Sequence, residues 1–293
     1  MKRVGITGYS GFIGKRLVSY PNLTFQPVLL PLRGMDPGQL SLSGLDAVIH
    51  LAGKAHDMSN PEDSEYFDVN TELTRKLAIA AKAQGVRHFI YFSSVKVYDD
   101  LTGEYFNESS ACHPVGPYGK SKYEAEQQLQ TMEEPAFRVA IIRPPLVYGP
   151  GVKANMLNLI TLSDKYIPLP FANSGNRRSM VFIDNLVELV ARIVDRQSAG
   201  IFIPGDPEPL STGQLVSLIR NQLGRRPGLF SLPSFVKSSI RIAKPMLYKR
   251  LYGSFVIDNT NTNLALEFKA PFQTEEGIRE MVKWYIKEIR KKR

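Results

Sequence analysis

The sequence predicts an α/β fold on a doubly wound parallel sheet, for three reasons: short apolar runs that read as buried strands, helical segments between several of them, and a glycine-rich turn behind the first. Residues 3–7 (Arg-Val-Gly-Ile-Thr) form the first run, which passes through that turn into a helix beginning near Phe12. Val28-Leu29-Leu30, Ala47-Val48-Ile49-His50-Leu51 and Phe89-Ile90-Tyr91-Phe92 follow as strands two to four, short and apolar as strands buried on both faces are. Only 16 residues separate strands two and three, so the usual crossover helix should be shortened or absent. Leu73, Leu77, Ala80 and Ala81 recur at helical spacing and predict a helix over 70–84; a second runs from Tyr118 to Met132, before a strand at Val139 to Ile142. After Gly149-Pro150-Gly151 the pattern becomes irregular and proline-rich. The expected organisation is a sheet-bearing part, residues 1–150 with about 177–205, and a smaller part from about 151–176 and 206–293. Ser179–Phe182 and Gly200–Ile203 are expected to return to the sheet as strands.

A chain of 293 residues with 43% hydrophobic content can bury a sizeable core, which argues against disorder. Its net charge of +9 suits a polyanionic partner: nucleic acid, a membrane surface, or a small polyanion such as a dinucleotide or nucleoside diphosphate. The basic runs Arg177-Arg178, Arg225-Arg226, Lys244 to Arg250 and Lys287 to Arg293 sit in no recognisable nucleic-acid module, so no nucleic-acid partner is expected. The stretch Phe230 to Tyr252 mixes apolar and basic residues as a membrane-surface segment does, although Pro233 and Pro245 interrupt it. No window approaches the roughly 18 apolar residues of a membrane span, and Met1-Lys2-Arg3 does not open a signal peptide, so the expectation is a soluble, cytoplasmic protein. Cys112 is the only cysteine, read as a packing or loop residue, and four scattered histidines give no metal-ligand spacing. No metal site is expected, and a reducing cytoplasm fits.

Three motifs carry chemistry. In Thr7-Gly8-Tyr9-Ser10-Gly11-Phe12-Ile13-Gly14 the glycines recur at every third position between a strand and a helix, where the backbone can approach a pyrophosphate and the helix offers unpaired N–H groups and its positive end. Pro31-Leu32-Arg33-Gly34 ends the second strand, where an acidic side chain would hold the ribose hydroxyls of NAD; Arg33 instead matches the 2′-phosphate of NADP, with Asp36 near enough to reach a ribose. In Tyr118-Gly119-Lys120-Ser121-Lys122, tyrosine and lysine at i and i+4 share one helix face, where an ammonium would lower the phenol's pKa and fit it for proton transfer. Ser93-Ser94 stands just past a buried strand, at the edge where parallel sheets open onto their ligands.

With His50-Leu51-Ala52-Gly53, Val69-Asn70, Phe92-Ser93-Ser94 and Arg143-Pro144-Pro145-Leu146-Val147-Tyr148-Gly149-Pro150-Gly151, these motifs span almost the whole chain. In that order they resemble the extended short-chain dehydrogenase/reductase family, in its nucleotide-sugar epimerase, dehydratase and reductase branch. The resemblance implies a Rossmann fold with an NAD(P) cofactor, a nucleotide-sugar substrate of UDP type, and a homodimer of the kind frequent in the family. It implies that Ser94 holds the sugar oxygen, Tyr118 is the acid or base, and Lys122 binds the nicotinamide ribose. Gly8, Gly11, Phe12, Ile13, Gly14, Arg33, Leu51, Ala52, Gly53, Asn70 and Pro145 would bind cofactor, and Lys96, Asn155, Arg178 and Arg250 substrate.

The family's 4,6-dehydratases carry an Asp-Glu pair after the equivalent serine or threonine, and here Val95-Lys96 stands in that slot, which disfavours dehydration. Ser93 to Val97, His50 to Met58 and Leu251-Tyr252-Gly253-Ser254 are similar to bacterial reductases of UDP-4-keto-6-deoxy-N-acetylhexosamines, which serve surface-polysaccharide synthesis; Tyr98-Asp99-Asp100 departs from their pattern. The leading expectation is a 4-ketoreductase using NADP(H) in preference to NAD(H), with a UDP-hexose 4-epimerase on tightly held NAD as the alternative. A cofactor-sensing protein without chemistry is a third reading, which the intact Ser94, Tyr118 and Lys122 set disfavours.

Overall fold

A computed structural model of the chain describes residues 1–54, 62–98 and 105–292, leaving aside the side chains of 246, 247, 250 and 292. Its first half alternates strand and helix: β1 (Arg3–Thr7), α1 (Phe12–Ser19), β2 (Gln26–Leu29), β3 (Ala47–His50), α2 (Asp63–Phe67), α3 (Leu73–Ala83) and β4 (His88–Phe92). A short strand, β5 (Tyr105–Phe106), precedes α4 (Pro117–Met132) and β6 (Arg138–Ile142). Next come β7 (Leu146–Tyr148), α5 (Ala154–Ser163), β8 (Met180–Phe182), α6 (Ile183–Arg196) and β9 (Gly200–Phe202). The remainder comprises α7 (Thr212–Gln222), α8 (Ser234–Ala243), α9 (Pro245–Tyr252), β10 (Val256–Ile257), α10 (Thr260–Leu266) and α11 (Thr274–Glu288).

Six strands form one parallel sheet in the order β2-β1-β3-β4-β6-β9, so the doubly wound α/β architecture read from the sequence is the observed one. The side chains of β3 and β4 alternate between two cores. Ala47, Ile49, Ile90 and Phe92 join Leu17 of α1 and Leu186, Val190 and Ile193 of α6. Val48, Phe89 and Tyr91 join Leu77 and Ala81 of α3 and Leu129 of α4. The strand order reverses between β1 and β3, and the crevice beyond their C-terminal ends is where such sheets receive ligands. A single 3₁₀ turn, Pro37–Gln39, replaces the crossover helix between β2 and β3, as the short spacing predicts.

Two expectations change. The second strand begins at Gln26 and includes Pro27, which this position tolerates because β2 is an edge strand. Residues 179–182 do not rejoin the central sheet: β9 occupies the free edge of β6, and β8 pairs with β7 in a separate two-stranded sheet. The chain leaves the main sheet at Pro144-Pro145, which cannot donate ladder hydrogen bonds. A third core lies there, where Tyr148 and Phe182 pack with Ile160 of α5, Ile219 of α7 and Ile278 and Met281 of α11. No helix among the described residues is long and apolar enough to cross a membrane, and no group of three or more His, Cys, Asp or Glu among them is placed to hold a metal ion.

Candidate functional site

The glycine turn is built for close approach. Gly8 adopts φ +66°, and a Cβ there would lie 2.5 Å from the Ala52 nitrogen, so the turn packs directly on Leu51-Ala52 behind β3. A Cβ on Gly14 would meet the Gly8 carbonyl oxygen at 2.3 Å, which is why the helix can start so near the turn. Gly11 caps α1 with no side-chain bond and no acidic residue occupies its first turn, so Phe12 and Ile13 present a helix N-terminus suited to phosphate. A glycine turn packed this closely against a helix N-terminus is an arrangement that lets an anion approach the backbone.

A buried polar chain stands beside it. The Thr7 hydroxyl lies 2.7 Å from Nδ1 of His50, whose Nε2 lies 2.9 Å from the Thr74 hydroxyl, which donates to the Asn70 carbonyl. Burial first, and Lys122 second, push His50 down to about 3, so it is a neutral hydrogen-bonding spacer. Asn70 sits in a π turn, Asp68–Glu72, between α2 and α3. Its Oδ1 accepts from the Lys54 backbone N–H at 2.9 Å, and its Nδ2 donates to the Lys54 carbonyl and to Ser121, both at 3.1 Å. Between Asn70 and Lys122 lies Gly53, where a Cβ would sit 2.9 Å from Oδ1 and 3.1 Å from the lysine Nζ.

The proton-transfer candidates converge at the C-terminal end of β4. Ser94 opens a 3₁₀ turn, Val95–Val97, whose Lys96 N–H donates to its hydroxyl. A Cβ on Gly119 would stand 2.4 Å from the Lys96 carbonyl oxygen, so this glycine lets the first turn of α4 press against the turn and carries Tyr118 to Ser94. The Tyr118 ring is half-buried and meets Tyr66 edge-on at 6.2 Å between centroids. Burial pushes its phenol up, with the hydrogen bond from Ser94 as the opposing influence. The lowering expected from Lys122 is therefore corrected: the lysine donates instead to the Phe92 carbonyl at 2.8 Å and lies over the Tyr91 ring, and desolvation governs the phenol. Lys122 itself is pulled down to about 8 by burial, against the attraction of Glu126 one turn along α4. kcat/KM is accordingly expected to fall as pH rises through about 8, as Lys122 loses its proton. Lys122→Arg, whose guanidinium stays charged there, should remove that limb from the residual activity in a pH–rate profile.

Ser94 also lines a cavity of about 570 Å³, the size of a small-molecule site. The same cavity gathers Lys96, Pro145, Asn155 and Arg178, four of the residues singled out in the sequence. Arg178 is aimed by the main chain at the C-terminal end of α9: its Nη2 donates to the Lys249 carbonyl at 2.8 Å and its Nε to the carbonyl of Gly253, which caps the helix, at 2.9 Å. Lys249 adds a third cation, and no Asp or Glu occurs among the described lining residues, so the walls suit a diphosphate and offer no carboxylate pair for an elimination. Arg33 lies apart, exposed in the turn after β2 and without an ion pair among the described residues. The side chain of Arg250, and Asp99 and Asp100, lie outside the described residues. Cys112 is half-buried, with its thiol pushed up by burial, as befits a packing residue.

Sequence reasoning missed the ion pair beneath the site. Arg143 binds Glu126 through Nε at 3.0 Å and Nη2 at 2.5 Å and donates to the Tyr98 hydroxyl at 2.7 Å, with both charged side chains almost fully buried. The available signal was Glu126 at i+4 from Lys122, a carboxylate on the helix face that the motif itself marks as inward. It also missed Lys249 and Tyr66, which only tertiary packing brings to the site.

Residues 39–202 match the model of the NAD dependent epimerase/dehydratase family. Among curated proteins, a UDP-glucose 4-epimerase of Vibrio cholerae is 31% identical over 97% of this chain and 96% of its own length. A UDP-2-acetamido-2,6-beta-L-arabino-hexul-4-ose reductase of Pseudomonas aeruginosa is 28% identical over 73% of this chain and 55% of its own. Among solved structures, RMD from Pseudomonas aeruginosa complexed with NADPH superposes with a TM-score of 0.77 at 21% identity, over 97% of this chain and 99% of that one.

Proposed function

Because the chain belongs to the NAD dependent epimerase/dehydratase family, whose members are NAD(P)-dependent enzymes of sugar nucleotides, we propose that it is an NADPH-dependent 4-ketoreductase of a UDP-4-keto-6-deoxy-N-acetylhexosamine. The observation that carries the direction of reaction is Arg33. An exposed guanidinium after β2, where NAD-specific sites hold an acidic side chain, favours the 2′-phosphate of an exchangeable NADPH. The raised phenol of Tyr118 supports the same direction, because a tyrosine protonated at neutral pH is a proton donor to a ketone oxygen.

When bound, the nicotinamide supplies a hydride to C4 of the sugar. Tyr118 gives its phenolic proton to the C4 oxygen, which the Ser94 hydroxyl holds in place. Lys122, charged at neutral pH and anchored on the Phe92 carbonyl, orients the nicotinamide ribose. Gly8, Gly11, Gly14 and the α1 N-terminus with Phe12 and Ile13 cradle the pyrophosphate. Leu51, Ala52, Gly53 and Asn70 wall the nucleotide, with Pro145 facing it from the cavity side. Arg178, Lys96, Asn155 and Lys249 receive the sugar's diphosphate. Cofactor binding thereby falls to residues 1–150 with about 177–205, which also lend Ser94, Lys96 and Arg178 to the sugar nucleotide, while Asn155 and Lys249 come from the smaller part.

The test is consumption of NADPH by the purified protein with the 4-keto sugar. A second reading, a 4-epimerase, draws on the Vibrio cholerae relative and on the same Ser94, Tyr118 and Lys122 set. Copurification of NAD with interconversion of UDP-GlcNAc and UDP-GalNAc, without added cofactor, would establish it and displace the reductase. Arg33→Ala is expected to raise KM for NADPH about tenfold or more, the worth of a charge-assisted hydrogen bond, while leaving KM for NADH unchanged. Equal effects on both cofactors would remove Arg33 from the phosphate site.

A further inference from the structure

The chain's charge is not spread evenly. Eight of its 37 Lys and Arg, and none of its 28 Asp and Glu, fall between Glu208 and Asp258, so that 49-residue stretch carries nearly the whole excess of +9. Within it stands α8, an amphipathic helix with no buried residue at all. Val236, Lys237 and Ile240 turn half-buried toward the body, and Lys237 fixes the helix by donating to the Asn173 carbonyl at 2.7 Å and lying over the Tyr252 ring. The opposite face presents Phe235 at 73% exposure and Ile242, one heptad on, at 79%. Arg241 and Lys244 are exposed beside them. Phe230, 44% exposed, lies on the segment leading into α8 and is paired there with the loop that carries the exposed Tyr166 and Ile167.

We propose that this face, centred on Phe235, Arg241, Ile242 and Lys244, docks the protein on an anionic lipid bilayer, with the apolar side chains entering the headgroup layer and the cations pairing with lipid phosphates. Large apolar side chains held outward cost solubility and earn nothing in the monomer. A second copy of the chain is a poor occupant, because it would set this carboxylate-free cationic stretch against itself. Nucleic acid would use the cations and leave an aliphatic Ile242 without a role. The next helix, α9, supplies Lys249 to the cavity and, with its capping Gly253, the two carbonyls that aim Arg178, so docking would bring the cavity close to the membrane surface. The docking does not depend on the reaction proposed above.

The experiment is cosedimentation of the full chain with phosphatidylglycerol vesicles, with phosphatidylcholine vesicles as comparison, at low and high salt. The expected result is binding to phosphatidylglycerol alone, weakened about tenfold by high salt. Phe235→Ser with Ile242→Ser, and separately Arg241→Gln with Lys244→Gln, should each weaken binding about tenfold. Thermal melting should stay unchanged, since all four side chains are exposed. Absence of binding, equal binding to both lipids, or full retention by the Phe235→Ser, Ile242→Ser variant overturns the proposal. So does binding to duplex DNA in place of vesicles.

Discussion

Tyr118→Phe is expected to lower kcat by about 10³-fold, the scale of a lost general acid, with KM and the melting temperature close to those of the parent. The substitution removes one hydroxyl and keeps the ring that meets Tyr66 edge-on, so packing is preserved. It leaves Ser94 able to hold an oxygen with nothing beside it to protonate that oxygen. Lys122 is a poor substitute, because its Nζ is held toward the strand by the Phe92 carbonyl and its remaining donors are assigned to the nicotinamide ribose. Steady-state kinetics with a fixed substrate concentration series separates the two constants. A kcat within about twofold of the parent would mean that the proton comes from elsewhere, and a rise confined to KM would make Tyr118 a binding residue.

The largest effect on stability is expected from Arg143→Met, at about 3–5 kcal/mol. The guanidinium is 2% exposed and the Glu126 carboxylate 1%, so removing the arginine strands a negative charge where no water can reach it. The Tyr98 hydroxyl, which also donates to the Asn107 carbonyl, loses its own donor at the same time. Glu126→Leu added to Arg143→Met should recover most of the loss in a urea unfolding series, because replacing both charges removes the desolvation penalty along with the attraction. Failure of the double variant to recover would show that the Tyr98 bond, and not the stranded carboxylate, is the main cost. The double variant should also leave Lys122 with a lower pKa than the parent, since Glu126 raises it, and so shift the alkaline limb of the pH profile to lower pH.

Those two residues also show what the sequence could and could not reveal. That Tyr118 and Lys122 share one helix was legible because they are four residues apart, and local spacing survives folding. The sheet was legible for a similar reason, since each strand carries its own apolar run between its own turns. Arg143 and Glu126 lie 17 residues apart, one just past the end of β6 and the other on α4, and nothing local says that they meet. The same holds for Lys249, 71 residues beyond the arginine it helps to aim. The fate of Met180–Phe182 was misjudged because an apolar triplet states that a strand will form but not which edge will accept it, and β9 had taken the edge. The pKa of Tyr118 was misjudged because spacing shows that a charge is near and says nothing about the desolvation that opposes it.

The π turn at Asp68–Glu72 sets a limit on how this protein could be shortened or recombined with a relative. Its wider coil leaves the Asn70 carbonyl to accept from the Thr74 and Tyr91 hydroxyls while the amide side chain faces Lys54 and Ser121. Deleting a single residue within the turn would absorb the extra residue into a regular α-helix and turn Asn70 through about 100° relative to the helix before it. Leu77 and Ala81, beyond the turn, would keep their core while Asn70 left its site. The irregular turn is therefore a register mark shared by core and cofactor pocket, and a chimera joined through this helix must carry it across whole.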